Sequence, residues 1–206
     1  MPKLVFNYVS VFFIFYLSLN AQSVEKLVEN VKEKYSLISD FKADFIGTIS
    51  NGTEGRSQRL SGKISFKKVN KFRVDLTRRV ILSNGETTWN FDRKMKRVVI
   101  SNPDKDFNQF SPEFYINEYS AKSSFELVGE QDGVKVIKFT PTDSGLQFKF
   151  VILWINSNNL IEKIEAKDSL GGEIEFTLSN IIIDSEINDD SFIFSQTEEV
   201  KVIDLR

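Results

Sequence analysis

The sequence predicts an α+β protein whose antiparallel β-sheet, of about ten or eleven strands, curls into an unclosed barrel lidded by two or three α-helices. Three observations support this. Short runs of alternating apolar and polar residues recur along the chain, and turn signals such as Asn84-Gly85 and Asp132-Gly133 separate them. Most connections are short enough for hairpins, which join antiparallel strands. Because a long meander exposes its edges and one apolar face, it must curl and be covered.

Composition excludes several classes of function. The chain has 206 residues, enough for one domain, and its 27 basic and 29 acidic residues give no basic excess for nucleic-acid binding. It contains no His and no Cys, which excludes His-dependent triads, Cys nucleophiles, disulfides and thiolate or imidazole metal sites. Only carboxylate, Lys, Ser/Thr or Tyr chemistry remains for an enzyme.

Residues 1–21 are predicted to form a secretory signal peptide. Lys3 precedes an apolar run from Leu4 to Leu19, and Ala21 is a small residue before the expected cut. A membrane anchor is the alternative, but the run is shorter than the ~20 apolar residues of a spanning helix. We therefore expect residues 22–206 to be a single soluble domain that is exported to the periplasm.

The mature chain is expected to begin with an amphipathic helix. Ser23 can cap it and Glu25 lies in its first turn. One face carries apolar residues at helical spacing: Val24, Leu27, Val28, Val31, Tyr35 and Ile38. A second, short helix is predicted after Ser111-Pro112-Glu113, where a cap, a first-turn proline and an acidic residue come together.

The segment Gly62–Leu76 predicts a hairpin with one apolar face. Ile64 and Phe66 alternate with polar residues before the basic break Lys67–Lys71, and Phe72 and Val74 alternate after it. We expect this apolar face to be a functional surface. On a later strand we expect the larger side chains to share one face: Phe148, Phe150, Ile152 and Trp154.

The order of these segments resembles the LolA family of periplasmic lipoprotein carriers over nearly the whole mature chain. After the N-terminal helix, the resemblance rests on an ordered set of segments: Phe41-Lys42-Ala43-Asp44-Phe45, Lys71-Phe72-Arg73, Ser83-Asn84-Gly85-Glu86-Thr87-Thr88-Trp89, Phe91-Asp92, the Ser111-Pro112 helix, Asp168 with Gly171-Gly172, Phe192-Ile193-Phe194 and Val200-Lys201-Val202-Ile203.

The resemblance implies a carrier rather than an enzyme, with an apolar cavity for the acyl chains of lipoproteins. It implies acylated lipoproteins as cargo, an inner-membrane lipoprotein-releasing ABC transporter as donor and an acceptor at the outer membrane. No cofactor, metal or nucleic acid is expected, and the protein is expected to be a monomer. For any one of these residues a plain core position is favoured. Taken together, a wide sheet with few helices favours a cavity lined by the set Phe66, Phe72, Val74, Trp89, Phe91, Ile116, Phe148, Phe150 and Trp154.

The resemblance also implies a latch. In the family an Arg before the hairpin bonds carbonyls of the lid and holds the empty protein shut. Lys68 occupies the matching position, followed by Val69 where proline is usual. Lys is a point donor without the planar fork of Arg, and Lys67 or Arg73 could share the role.

Other interpretations stay open. The protein could carry another lipid or glycolipid, or it could be a sensor of the same fold that binds acylated envelope proteins. The turn from Asp168 to Glu173 could hold calcium, although a plain hairpin is favoured. Acidic pairs such as Asp189-Asp190 are expected to be solvated surface rather than a glycosidase pair.

Overall fold

A computed structural model of the 206-residue chain describes residues 24–52, 56–103, 110–143, 145–196 and 199–206. The predicted signal peptide and the Ser23 cap lie outside these residues. Among the residues described, no helix has the length and apolar character needed to cross a membrane.

The described residues form two α-helices and twelve strands. Helix α1 covers 24–37 and α2 covers Pro112–Lys122. The first six strands are β1 Asp40–Asn51, β2 Arg56–Lys67, β3 Lys71–Leu76, β4 Arg79–Ser83, β5 Thr88–Asp92 and β6 Arg97–Ser101. The others are β7 Ser123–Gln131, β8 Val134–Pro141, β9 Phe148–Ile155, β10 Ile161–Asp168, β11 Glu173–Ile183 and β12 Lys201–Asp204, with a short 3-10 helix at Asp189–Phe192.

All twelve strands belong to one sheet, in the order β12-β6-β5-β4-β3-β2-β1-β11-β10-β9-β8-β7. The order is linear, so the two edge strands, β12 and β7, do not pair with each other among the described residues. The barrel is therefore unclosed, which confirms the predicted fold. Two details differ from the prediction. The sheet has twelve strands rather than ten or eleven, and β12 runs parallel to β6 because the chain crosses back over the sheet after β11.

Both helices lie over one face of the sheet, called here the inner face. The apolar stripe of α1 and the buried side of α2 belong to the same core cluster as alternate residues of the strands. On β1 these are Phe41, Ala43 and Phe45, which are 2–5% exposed. The predicted apolar face of α1 is confirmed, since all six of its residues are buried.

Close packing explains a glycine on this face. At Gly62 an added Cβ would lie 1.9 Å from the backbone oxygen of Asp75 and 3.3 Å from the Phe45 ring. Because β2 and β3 pair at this point, the obstacle is backbone that cannot move aside. The absence of a side chain at residue 62 therefore lets β3 and the inner core approach β2 closely.

Candidate functional site

The main cavity opens where the β2–β3 hairpin meets the end of α1 and the start of α2. Its volume is about 450 Å³, and its lining comes from all three elements: Tyr35, Ile38, Phe41, Phe66, Lys68, Val69, Phe72, Pro112, Phe114 and Asn117 among others. The predicted hairpin therefore forms one wall of a cavity that the two helices cover.

Three phenylalanines form the floor of this cavity. Phe41 lies directly opposite Phe66 on the next strand, and Phe66 lies opposite Phe72 on the one after that. Directly opposed residues point to the same face, so the rings follow one another across β1, β2 and β3. Phe41 and Phe66 have ring centroids 6.4 Å apart. The next row, Ile64 and Val74, is almost fully buried and continues the apolar surface inward.

Helix α2 covers the inner face with aromatic side chains. Ser111 lies at its N-cap in extended conformation and Pro112 occupies the first turn, as predicted, although the Ser111 side chain makes no capping bond. Tyr115 and Tyr119 are at most 1% exposed and pack against Phe148 of β9. The Tyr119 hydroxyl accepts a hydrogen bond from the Phe148 backbone N–H at 3.2 Å, which ties the helix to the sheet. Burial raises the pKa of Tyr115 well above its ordinary value, so its hydroxyl stays neutral.

Helix α1 is held at its C-terminal end by Lys68. The Lys68 ammonium donates to the carbonyl of Tyr35 at 3.4 Å and to the carbonyl of Ser36. The last carbonyls of a helix lack intrahelical partners and carry the negative end of its dipole, so a cation is favourable there. The Lys68 backbone N–H also donates to the Ser39 carbonyl at 3.1 Å. Lys68 thus joins the hairpin to the helix that covers the cavity.

The neighbouring cations point the other way. Lys67 and Lys71 bind the two carboxylate oxygens of Asp189, at 2.7 and 2.6 Å, on the outer face of the sheet. These two bonds hold the pKa of Asp189 at about 2. Arg73 binds Asp75 at 2.6 Å and donates to the Ser191 carbonyl at 3.1 Å. Lys67 and Arg73 therefore fasten the segment after β11, and of the three candidate latch residues only Lys68 bonds α1 in the described chain.

A buried carboxylate fixes the point where α1 meets β1. Asp40 is 3% exposed and accepts hydrogen bonds from the Ser185 N–H at 2.9 Å, the Ser185 hydroxyl at 3.0 Å and the Ile187 N–H at 3.2 Å. Burial alone would raise the pKa of Asp40, but these bonds to the charged form outweigh burial and lower it. Nothing in the local sequence marks Asp40 as special, because its partners lie about 145 residues away.

The structure brings five of the nine predicted cavity residues together on the inner face. Phe66 and Phe72 line the cavity itself. Val74, Ile116 and Phe148 are buried in the core cluster around it. Phe41 also lines the cavity and was not among the predicted residues. Its period-two alternation with Ala43 and Phe45 was visible, but its place beside Phe66 follows from strand register.

The other four predicted residues lie on the outer face, which corrects their expected placement. Trp89 and Phe91 pair with Leu82 and Val80, residues that alternate with the inner-facing Ile81. Phe91 packs against Phe194 with ring centroids 5.2 Å apart, beside a second cavity of about 370 Å³ under the segment after β11.

Phe150 and Trp154 also lie on the outer face, where lysine side chains rather than the helices cover their rings. The Lys138 ammonium lies 5.8 Å from the centre of the Phe150 ring, and Lys163 lies 4.7 Å from Trp154. The inward positions of β9 belong instead to the smaller branched residues Val151, Leu153 and Ile155. A register irregularity between Lys167 and Asp168, opposite Phe148, accompanies the inward position of that ring.

The Asp168 turn is arranged as a hairpin. Its carboxylate accepts bonds from the Leu170 and Gly172 N–H groups at 2.8 and 2.7 Å, and Glu173 pairs with Lys167. Across the described ranges, no group of three or more acidic side chains could hold a metal ion.

Comparison with known proteins adds the family. A family profile described as "Outer membrane lipoprotein carrier protein LolA" matches residues 36–195, which is most of the chain and includes the cavity floor and α2. The chain belongs to the LolA family. The resemblance predicted from the ordered sequence segments is thereby confirmed.

Relatives in this family are distant but aligned over nearly their full length. An outer-membrane lipoprotein carrier protein from Francisella tularensis subsp. novicida is 23% identical over 200 residues, covering 93% of this chain and 94% of the relative. A protein of the same description from Nitrosospira multiformis is 21% identical over 196 residues, covering 93% and 95%. An uncharacterized conserved protein from Thermus thermophilus shares the fold with a TM-score of 0.57 at 12% identity, covering 88% of this chain and 99% of that one.

Proposed function

We propose that this LolA-family protein is a non-enzymatic periplasmic carrier, which binds the acyl chains of lipoproteins in its inner cavity and moves them from the inner to the outer membrane. The observation that carries the proposal is the cavity between the hairpin, α1 and α2, whose floor is the row Phe41, Phe66 and Phe72. The aromatic floor offers the apolar contact that suits a hydrocarbon chain, and the rest of the lining includes polar side chains such as Lys68, Glu113 and Asn117.

The energetics suit a carrier that must both bind and release. Each methylene buried contributes about 0.8 kcal/mol, so ten methylenes contribute roughly 8 kcal/mol before any cost is subtracted. Opening the protein breaks the Lys68 bonds to α1 and separates the aromatic contacts of α2. These losses offset part of the gain, so the empty closed protein competes with the loaded one and cargo can pass to an acceptor.

The donor and acceptor proposed are those of the family: an inner-membrane lipoprotein-releasing ABC transporter and an acceptor at the outer membrane. The Francisella and Nitrosospira relatives, which are outer-membrane lipoprotein carrier proteins, support the carrier role. Export to the periplasm rests on the predicted signal peptide.

Mass spectrometry of lipids and proteins co-purified with the protein from its own cell envelope tests the proposal. We expect acylated lipoproteins, and purified protein should bind a triacylated lipopeptide but not the same peptide without acyl chains. Recovery of phospholipid or glycolipid alone would show a carrier of another lipid instead.

A matched pair of variants assigns the binding to the cavity. Phe66→Ser removes a half-buried ring from the cavity floor, and Phe150→Ser removes a half-buried ring from the outer face. Only Phe66→Ser should weaken lipopeptide binding, because only that ring lies on the inner face. Equal loss in both variants would contradict the proposed site.

A further inference from the structure

Beyond Phe72, the row of side chains that forms the cavity floor changes from aromatic rings to hydroxyl groups. Phe72 lies directly opposite Ser83 on β4, Ser83 lies opposite Thr88 on β5, and Thr88 lies opposite Ser101 on β6. All are therefore on the inner face with the aromatic floor. One continuous row thus carries three phenyl rings and then three hydroxyl groups, and Thr88 is about 10 Å from Phe72 at the ordinary strand spacing.

Thr88 stands out within this row. It is 1% exposed, and its hydroxyl has no hydrogen-bond partner in the part of the chain that the structure describes. Ser83 is equally buried, and its oxygen accepts a bond from the Gly85 N–H at 3.1 Å. Buried hydroxyl groups are normally paired, and valine would fill the space of a threonine without the cost of an unpaired polar group. The Thr88 hydroxyl is therefore a buried hydrogen-bond donor for which the described part of the chain supplies no acceptor.

We infer that Thr88, with Ser83 beside it, forms a polar subsite that donates a hydrogen bond to the ester carbonyl at the head of a bound acyl chain. The inference rests on the proposed function, because it assumes an acyl ligand on the phenylalanine floor. Ser83 and Thr88 are buried and lie beyond the residues that line the cavity, so a bound amphiphile must displace what covers them. Lying along the row, it then places its methylenes on Phe41, Phe66 and Phe72 and its carbonyl at the hydroxyl groups. The carbonyl supplies the acceptor that the protein lacks.

The alternative is that Thr88 is present only because β-branched residues suit strands. The two explanations predict different behaviour of Thr88→Val. The subsite predicts that the empty protein melts at the same temperature or higher, because an unpaired polar group is removed, while an ester-bearing ligand binds less well. Thr87→Val is the matched control, since the Thr87 hydroxyl already accepts a bond from Arg206 at 3.3 Å.

The test compares a diacylglyceryl lipopeptide with its dialkyl-ether analogue, which has the same chains and the same peptide but no ester carbonyl groups. Wild type should bind the ester form about two- to tenfold more tightly, the range expected for one neutral hydrogen bond. Thr88→Val should lose this preference, and Thr88→Ser and Thr87→Val should keep it. A phospholipid pair with the same ester and ether linkages shows whether the subsite accepts any acyl ester or only that of a lipopeptide.

Infrared spectroscopy detects the hydrogen bond to the ester carbonyl in the wild-type protein, so it needs no variant. The carbonyl stretch of a ¹³C-labelled ester should lie at its hydrogen-bonded frequency in wild type, which keeps the test valid if Thr88→Val fails to fold. Equal binding of ester and ether forms by wild type, or an unbonded carbonyl frequency, would refute the subsite while leaving the cavity intact. Failure of wild type to bind either form would overturn the carrier proposal and the subsite with it.

Discussion

Replacing Lys68 by methionine should shift the empty protein toward an open form and make it hold acyl cargo more tightly. Methionine keeps an unbranched stem but cannot donate to the Tyr35 and Ser36 carbonyls at the end of α1. We expect opening to move α1 away from the hairpin, so that only the closed form keeps these bonds and only the closed form is destabilised by the substitution. Lys68→Arg should do the opposite, because a guanidinium can bond two carbonyls in a fixed geometry.

The exposure of Lys68 sets the expected size of the shift between closed and open protein. A hydrogen bond from a charged donor contributes about 1.5–3 kcal/mol, and Lys68 is exposed, so water competes and the lower part of the range or somewhat less applies. A value of about 1–1.5 kcal/mol corresponds to a roughly five- to tenfold change in the ratio of closed to open protein. When the closed form predominates, apparent affinity for cargo rises by the same factor.

The assay follows transfer of a fluorescent triacylated lipopeptide from the loaded protein to acceptor vesicles. Lys68→Met should bind the lipopeptide more tightly and transfer less of it, and Lys68→Arg should transfer more. Opening can be measured separately by distance between labels at Lys32 on α1 and Thr177 on β11, since the chain has no native Cys to be labelled by mistake.

Lys67→Met is the control, because Lys67 bonds Asp189 and the Ile187 carbonyl rather than α1. It removes the same charge from the same hairpin and should leave cargo transfer unchanged. If wild type and both Lys68 variants transfer cargo alike, Lys68 is an ordinary surface lysine. If Lys67→Met matches Lys68→Met, the effect comes from hairpin charge rather than from the bonds to α1.

Three further predictions concern stability and processing. The pKa of Asp40 is lower in the folded protein than its unfolded value of 3.8, so its contribution to stability is complete above that pH and is lost as the pH falls through the folded pKa. Asp40→Asn should lose about 1–3 kcal/mol of unfolding free energy at pH 7 in urea titrations, and its stability should decline less steeply below pH 4 than that of wild type. An equally steep loss of stability in acid would show that another group causes the acid sensitivity. Gly62→Ala should lower the melting temperature, because its Cβ would meet the Asp75 backbone; unchanged melting would mean that β3 can shift. N-terminal sequencing of the exported protein should begin at Gln22, and an intact N-terminus in the membrane fraction would contradict the signal peptide.

Local patterns were enough to predict much of this fold. The six apolar positions of α1 repeat at helical spacing, and they are the buried ones because a helix has a single apolar stripe that can face the core. The Ser111-Pro112-Glu113 start of α2 and the hairpin turns are likewise local signals. The order of these segments was sufficient to predict the family.

Tertiary structure decided which face of each strand points inward. On β9 both faces are apolar, so alternation offered two candidate faces, and the larger side chains of Phe150 and Trp154 favoured the wrong one. Strand register against β10 turned Val151 and Leu153 inward instead, and cations cover the two large rings outside. Trp89 and Phe91 were misplaced for a different reason: they form the one apolar face of β5, but that face points outward, where Phe91 packs against Phe194.

Long-range partners were equally invisible in the sequence. The basic hairpin offers several cations, and nothing local shows that Lys68 reaches α1 while Lys67 and Arg73 reach the segment after β11. The sequence by itself therefore determined the elements, their order and the family. The folded chain decided which side chains meet, because strand faces and bonding partners depend on register and on contacts between residues that are 32 to 120 positions apart.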